Sequence, residues 1–296
     1  MRSKSRTFLN PDRDYEIFKF IWRWKVVPTD ILHKRFFPNT LIRTCYNRLA
    51  TLRAGGYIET IPIKDMACLA WVLCPKAFNA IKEYLPEDCD NGFRSESPNH
   101  DVLALRLQIG DWAADPGADD LLFTEQELRR LSSVHYPDWV PFDFNRRPDG
   151  YIKSGSGASA RAIAIEIELS PKAQSEYETL AIDYAHCPKI ERGIWAVPSK
   201  YIAKRLLSIF ANYNSAHSPL HSFVLVNDLA KVAWSSFIID GANKGDTIRE
   251  LITRGLRCSK TNRPPSLPTE SHETPMSCTA PVLDLTWNNA MNVDGY

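Results

Sequence analysis

Between Arg161 and Leu169 the chain reads RAIAIEIEL, an apolar strand pattern that carries two glutamates. Strand alternation puts Ile163, Ile165 and Ile167 on one face and Glu166 and Glu168 on the other. The flanking Ala and Ile residues predict a central strand with both faces covered. A carboxylate buried there without a partner is costly, so the fold has to supply each glutamate with a cation, a donor or a shared ion. A third carboxylate, Asp149, stands upstream in the Arg147-Pro148-Asp149-Gly150 hairpin signal. If it arrives on a neighbouring strand, Asp149, Glu166 and Glu168 can share Mg²⁺ or Mn²⁺, hard cations that take oxygen ligands and keep waters for phosphodiester chemistry.

The N-terminal part reads as helices. Ile17, Phe18, Ile21 and Trp22 recur at helical spacing from Asp14, and the helix stops near Val27. Pro28-Thr29 opens a shorter helix through Phe36. Asn39 is the expected N-cap of a third helix, from Thr40 to about Ala54, ended by Gly55-Gly56. That helix is predicted to bury Leu41, Cys45, Leu49 and Leu52, leaving Thr40, Arg43, Thr44, Asn47 and Arg48 to face elsewhere. Two β-prone runs, Tyr57 to Ile61 and Leu69 to Leu73, follow around a turn at Lys64-Asp65, then a helical run from Pro75 to Tyr84. Three helices followed by a hairpin describe a winged helix-turn-helix.

Charge agrees. Residues 1–60 hold twelve Lys plus Arg against five Asp plus Glu, so 12 − 5 = +7; the net charge of +1 leaves −6 for the remainder. A basic segment with Arg and Asn on an open helix face suits double-stranded DNA, through phosphate attraction and base edges. Trp22, Trp24 and Trp71 fit core positions better than base stacking.

The expected organisation is a DNA-binding domain over 1–85, a polar linker over 86–98, a second domain over 99–256 and a polar, Pro/Ser/Thr-rich tail over 257–296 expected to be disordered. In the second domain the residues predict a helix from Asn99 to Ala113, a strand from Leu121 to Phe123, and a helix capped by Thr124 with Glu127. Strands at Val140 to Phe144 and Gly150 to Lys153 come next. Ser170-Pro171 is expected to cap a helix to about Tyr184, followed by a strand at Gly193 to Val197, a helix at Ser199 to Phe210 and a last strand at Phe223 to Val226. The fold class is therefore α/β, more fully a mixed α+β sheet flanked by helices.

The RPDG hairpin, the strand AIEIELSPK, the helix carrying His100-Asp101 and the segment FTEQELRRL resemble the replication-relaxation family, which includes MobC-like plasmid mobilisation proteins. The resemblance runs from about Tyr15 to Val226. It implies a winged helix joined to a PD-(D/E)XK, restriction-endonuclease-like domain that nicks or hydrolyses an origin-type DNA site of a mobile element. By it, Asp149 and Glu166 are metal ligands, His100 is an auxiliary ligand or phosphate contact, and Glu168 stands where lysine is usual. Lys172, in the first turn of the next helix, can supply the missing positive charge. The alternative is a non-catalytic regulator or accessory factor on a degenerate nuclease fold.

Composition narrows the setting. Hydrophobic residues make up 44% and charged ones 24%, as in globular proteins, and no apolar run reaches a bilayer span. Seven scattered cysteines without a C-x-x-C pair fit reduced thiols. The expectation is a cytoplasmic protein with DNA as partner, no membrane association, and homodimerisation left open.

Overall fold

The structure, a computed structural model, describes residues 9–63, 66, 68–86, 92, 94–142, 147–213 and 218–257. The turn expected at Lys64-Asp65, residues 87–91 and 93 of the expected linker and the tail after Arg257 lie outside the described residues.

Helices α1 (Glu16–Trp24), α2 (Thr29–Phe36) and α3 (Ile42–Ala54) come first, with a two-residue strand β1 (Val27–Pro28) between α1 and α2. Strands β2 (Ile58–Ile63) and β3 (Cys68–Leu73) follow, then α4 (Pro75–Ile81). The strands form an antiparallel sheet in the order β1-β3-β2. Trp22, Trp24 and Trp71 are buried, and the Trp71 indole donates to Thr29 Oγ1 at 2.8 Å. One expectation for α3 fails. Leu41 is 79% exposed because the helix starts at Ile42, and Leu41 is the extended N-cap residue outside the buried stripe of Cys45, Leu49 and Leu52.

Beyond residue 97 come α5 (Pro98–Ile109), β4 (Leu122–Thr124), α6 (Glu125–Arg130), β5 (Gly150–Ser154), β6 (Arg161–Ile167) and α7 (Gln174–Ala185). Then follow β7 (Ile190–Val197), α8 (Lys200–Asn212), β8 (Leu220–Leu225), α9 (Val226–Val232), β9 (Asp240–Gly241) and α10 (Ile248–Arg257). They build a six-stranded mixed sheet in chain order, with β6, β7 and β8 parallel and the outer pairings antiparallel. The isoleucines of β6 join one hydrophobic cluster with α5, α9 and α10, while Ala162 and Ala164 join another with α7 and α8, so helices cover both faces. This is the mixed α+β class read from the sequence.

Local caps explain several boundaries. Thr124 Oγ1 accepts from the Glu127 amide and Glu127 accepts from the Thr124 amide, closing the expected capping box of α6. Helix α7 begins at Gln174 rather than at Ser170-Pro171, because Glu176 accepts from the Ala173 amide and sets the first turn there. The strand expected at Val140 to Phe144 is absent from its described part, residues 140–142. There Val140 closes a turn onto the Pro137 carbonyl and Pro141 has no amide to donate. Helices α9 and α10 and strand β9 extend the fold past the last expected strand.

Basic residues of the first segment are tied to acidic groups of the later one. Arg23 donates to the carbonyls of Asp119 at 3.1 Å and Leu122 at 2.6 Å and sits 3.0 Å from Glu127. Lys25 Nζ lies 3.1 Å from Asp101 and 2.8 Å from Glu125. Arg35 pairs with Asp119 and donates to the Asp115 carbonyl at 2.6 Å. The hydrophobic cluster that contains Ile17, Leu49 and Trp71 also contains Leu105, Ile165 and Ile194, so one core runs through both segments.

Within the first segment the fully buried Asp14 is held by Arg48 of α3 and by the Asn10 amide at 2.6 Å. Removing one partner of a buried ion pair leaves the other desolvated and unanswered. Asp14→Ala is therefore expected to lower the unfolding free energy by about 3 kcal/mol, read as a lower urea midpoint, and an unchanged midpoint would contradict this role.

Candidate functional site

Two regions carry the residues singled out in the sequence. The first is the outer face of α3. Arg43, Thr44 and Asn47 are exposed, and Arg43 and Asn47 lie on the side of the helix opposite Cys45, Leu49 and Leu52. Thr40 is also exposed and donates to the Phe37 carbonyl at 3.0 Å, just ahead of the helix. Arg48 differs from expectation. Its guanidinium is turned to Asp14, since its place on the flank of the helix brings it to the buried carboxylate. Lys34 on α2 and Arg53 on α3 are exposed as well.

The second region lies around β6. Asp149 forms a bend just ahead of β5, and its amide donates to the Ile165 carbonyl at 2.9 Å. Gly150 adopts φ 150°, and the Gln108 side chain packs where a Cβ would stand. Gln108 donates to the Asp149 carbonyl at 3.0 Å. This bend frees the Asp149 carboxylate from strict alternation. Its Oδ2 accepts from the Ile167 amide at 2.6 Å and lies 3.3 Å from His100 Nε2. Asp149 thus sits with His100 and Gln108 of α5.

The two glutamates turn the other way. Glu166 is 4% exposed, and its Oε1 accepts from the Tyr184 hydroxyl of α7 at 2.9 Å. Glu168 is 3% exposed, and its Oε2 takes the Lys172 ammonium at 2.7 Å. Lys172 is not in a helical turn, as expected from sequence, but in the extended stretch before α7, where its amide donates to the Tyr177 hydroxyl at 3.0 Å. Burial and the neighbouring Glu168 charge hold the Tyr177 phenol above its ordinary range.

The structure therefore joins Asp149 to His100 on the α5 side and ties Glu166 and Glu168 to α7 and its approach, on the other side of the sheet. Among the described residues no three His, Cys, Asp or Glu side chains gather into a group that could hold a metal ion. Asp149 accepts from the Ile167 amide, Glu166 from the Tyr184 hydroxyl and Glu168 from the Lys172 ammonium, so each of the three carboxylates expected to hold Mg²⁺ or Mn²⁺ has its own protein partner.

What surrounds His100 was not legible from spacing. Its Nδ1 lies 3.6 Å from Asp101, whose carboxylate also meets Lys25, and Lys25 continues to Glu125. A cleft of about 240 Å³ opens beside this chain of charges and is lined by Arg94, Arg129 and Asp149 among others. Burial alone would depress the Lys25 ammonium, but the charges of Asp101 and Glu125 outweigh it and raise its pKa. Burial also disfavours the His100 imidazolium, yet the hydrogen bonds and charges of Asp101 and Asp149 push its pKa up to about 10. Asp101 is correspondingly held below the usual carboxylate range, by His100 and Lys25 against its burial.

Comparison with protein-family models, with curated proteins and with solved structures gives no match to this chain. No helix of the described residues is long and apolar enough to cross a membrane.

Because His100 binds its proton more tightly folded than unfolded, its contribution to stability is complete below its unfolded pKa of about 6.5. It is lost as pH rises toward about 10. His100→Gln should flatten that part of the stability profile, and an imidazole resonance that titrates near pH 6.5 in the folded protein would refute the assignment.

Proposed function

We propose that the chain is a double-stranded-DNA-binding regulator or accessory factor. Its N-terminal segment acts as a winged helix with α3 laid in the major groove, and its mixed sheet is a nuclease-like scaffold without a working hydrolytic centre. The outer face of α3 carries this reading: Arg43, Thr44 and Asn47 stand exposed there while Arg23, Lys25, Arg35 and Arg48 are engaged in ion pairs. Arginine suits the O6/N7 edge of guanine and asparagine the N6/N7 edge of adenine. Lys34 and Arg53 add charge for flanking phosphates. The order α1-β1-α2-α3-β2-β3 with an antiparallel three-stranded sheet supports the winged-helix assignment.

On a duplex selected from a random pool, Arg43→Ala and Asn47→Ala should each weaken binding by about 1–3 kcal/mol without lowering the melting temperature. Failure to enrich any duplex, or variants that bind like the parent protein in fluorescence anisotropy, would count against the reading.

A second reading, the Mg²⁺- or Mn²⁺-dependent nickase implied by the family resemblance, has one observation in its favour. The Asp149 carboxylate is bonded to the Ile167 amide, next in sequence to Glu166, beside a cleft that Arg94 and Arg129 line. It requires Glu166 to leave Tyr184. Supercoiled plasmid incubated with the protein and Mn²⁺ is expected to stay supercoiled; conversion to open circles that Asp149→Ala abolishes would establish the nickase instead.

A further inference from the structure

On the face of the sheet away from His100, a largely buried histidine borders an open pocket. His221 on β8 is 8% exposed. Its Nδ1 accepts from the Trp195 indole N–H at 3.0 Å, which leaves the proton of the neutral ring on Nε2. Gly193 makes this bond feasible, since a Cβ there would come within 2.8 Å of His221 Nδ1 and 2.9 Å of the indole nitrogen. Phe210 stacks on the imidazole with centroids 3.9 Å apart, and Tyr184 meets it edge-on at 5.4 Å. Burial and the nearby Arg192 charge push the His221 pKa down to about 3, so the ring stays neutral at physiological pH.

His221 borders a cavity of about 280 Å³ whose other walls include Tyr184, Leu207, Phe210, Tyr213 and Ala211. None of the described residues that line it is a Lys, Arg, Asp or Glu. With aromatic and small side chains dominating the described lining, an uncharged occupant fits this pocket better than an ion does. Aromatic walls favour a flat ring, and the N–H of His221 calls for an acceptor on its edge.

We propose that this cavity binds a small, uncharged heteroaromatic ring through a carbonyl or ring-nitrogen acceptor placed on His221 Nε2, the chemistry of a nucleobase. The source is either a free nucleoside or an unpaired base of a nucleic-acid strand. The site shares no residue with the outer face of α3, so its failure and that of the DNA-binding reading are separable.

The full chain is titrated with adenosine, guanosine, cytidine and uridine up to about 10 mM, and separately with single-stranded oligonucleotides of each base. Binding is followed by tryptophan fluorescence and by the ¹⁵N resonance of the His221 imidazole. Saturable binding that shifts this resonance is expected, weakened about tenfold by His221→Phe, which removes the donor, and by Ala211→Trp, which fills the exposed rim of the cavity. Binding by nucleosides assigns a free ligand, and binding by oligonucleotides alone assigns a strand. If His221→Phe does not fold, Ala211→Trp decides. Absence of saturable binding in both arms, or binding indifferent to Ala211→Trp, overturns the proposal.

Discussion

A carboxylate inside a β-sheet has to be answered from within the protein, and β6 carries one at Glu166 with a second just past its end at Glu168. Tyr184 donates to the first and Lys172 pairs with the second. Those bonds draw α7 and the extended stretch before it onto the strand. They also orient the aromatic layer beyond, where Tyr184 meets Trp195, Phe210 and His221. Asp149 is answered separately, by the Ile167 amide and His100, which anchors the start of α5 to the sheet on its other face. The same chemistry that suggests a shared ion is thus satisfied by three separate local pairings.

Charge asymmetry along the chain has a similar outcome. A surplus of +7 in the first 60 residues and −6 beyond looks from sequence like an electrostatic footprint for nucleic acid. Much of it is internal: Arg23, Lys25 and Arg35 reach Asp119, Glu127, Asp101 and Glu125. Lys25 does so from φ 60°, a conformation that costs a non-glycine residue about 1 kcal/mol or more, and the two carboxylates on its ammonium offset that strain. Among the described residues of that segment, the exposed cations Lys34, Arg43 and Arg53 lie on α2 and α3.

These pairings also connect the two regions. Lys25, at the end of α1, meets Asp101, and Asp101 meets His100, which meets Asp149.

Periodicity and capping chemistry were enough to read the helices α1 to α3, the capping box at Thr124, the alternation of β6 and the mixed class of the larger sheet, since each depends on residues a few positions apart. The late elements α9, β9 and α10 were not read, although Ile248, Leu251 and Ile252 carry helical spacing. The partners of Asp149, Glu166, Arg48 and His221 were beyond reach of the sequence. Each comes from an element packed across the fold. Sequence determined which groups had to be neutralised; only tertiary packing decided with what, because desolvation fixes the need locally while the partner is chosen by three-dimensional proximity.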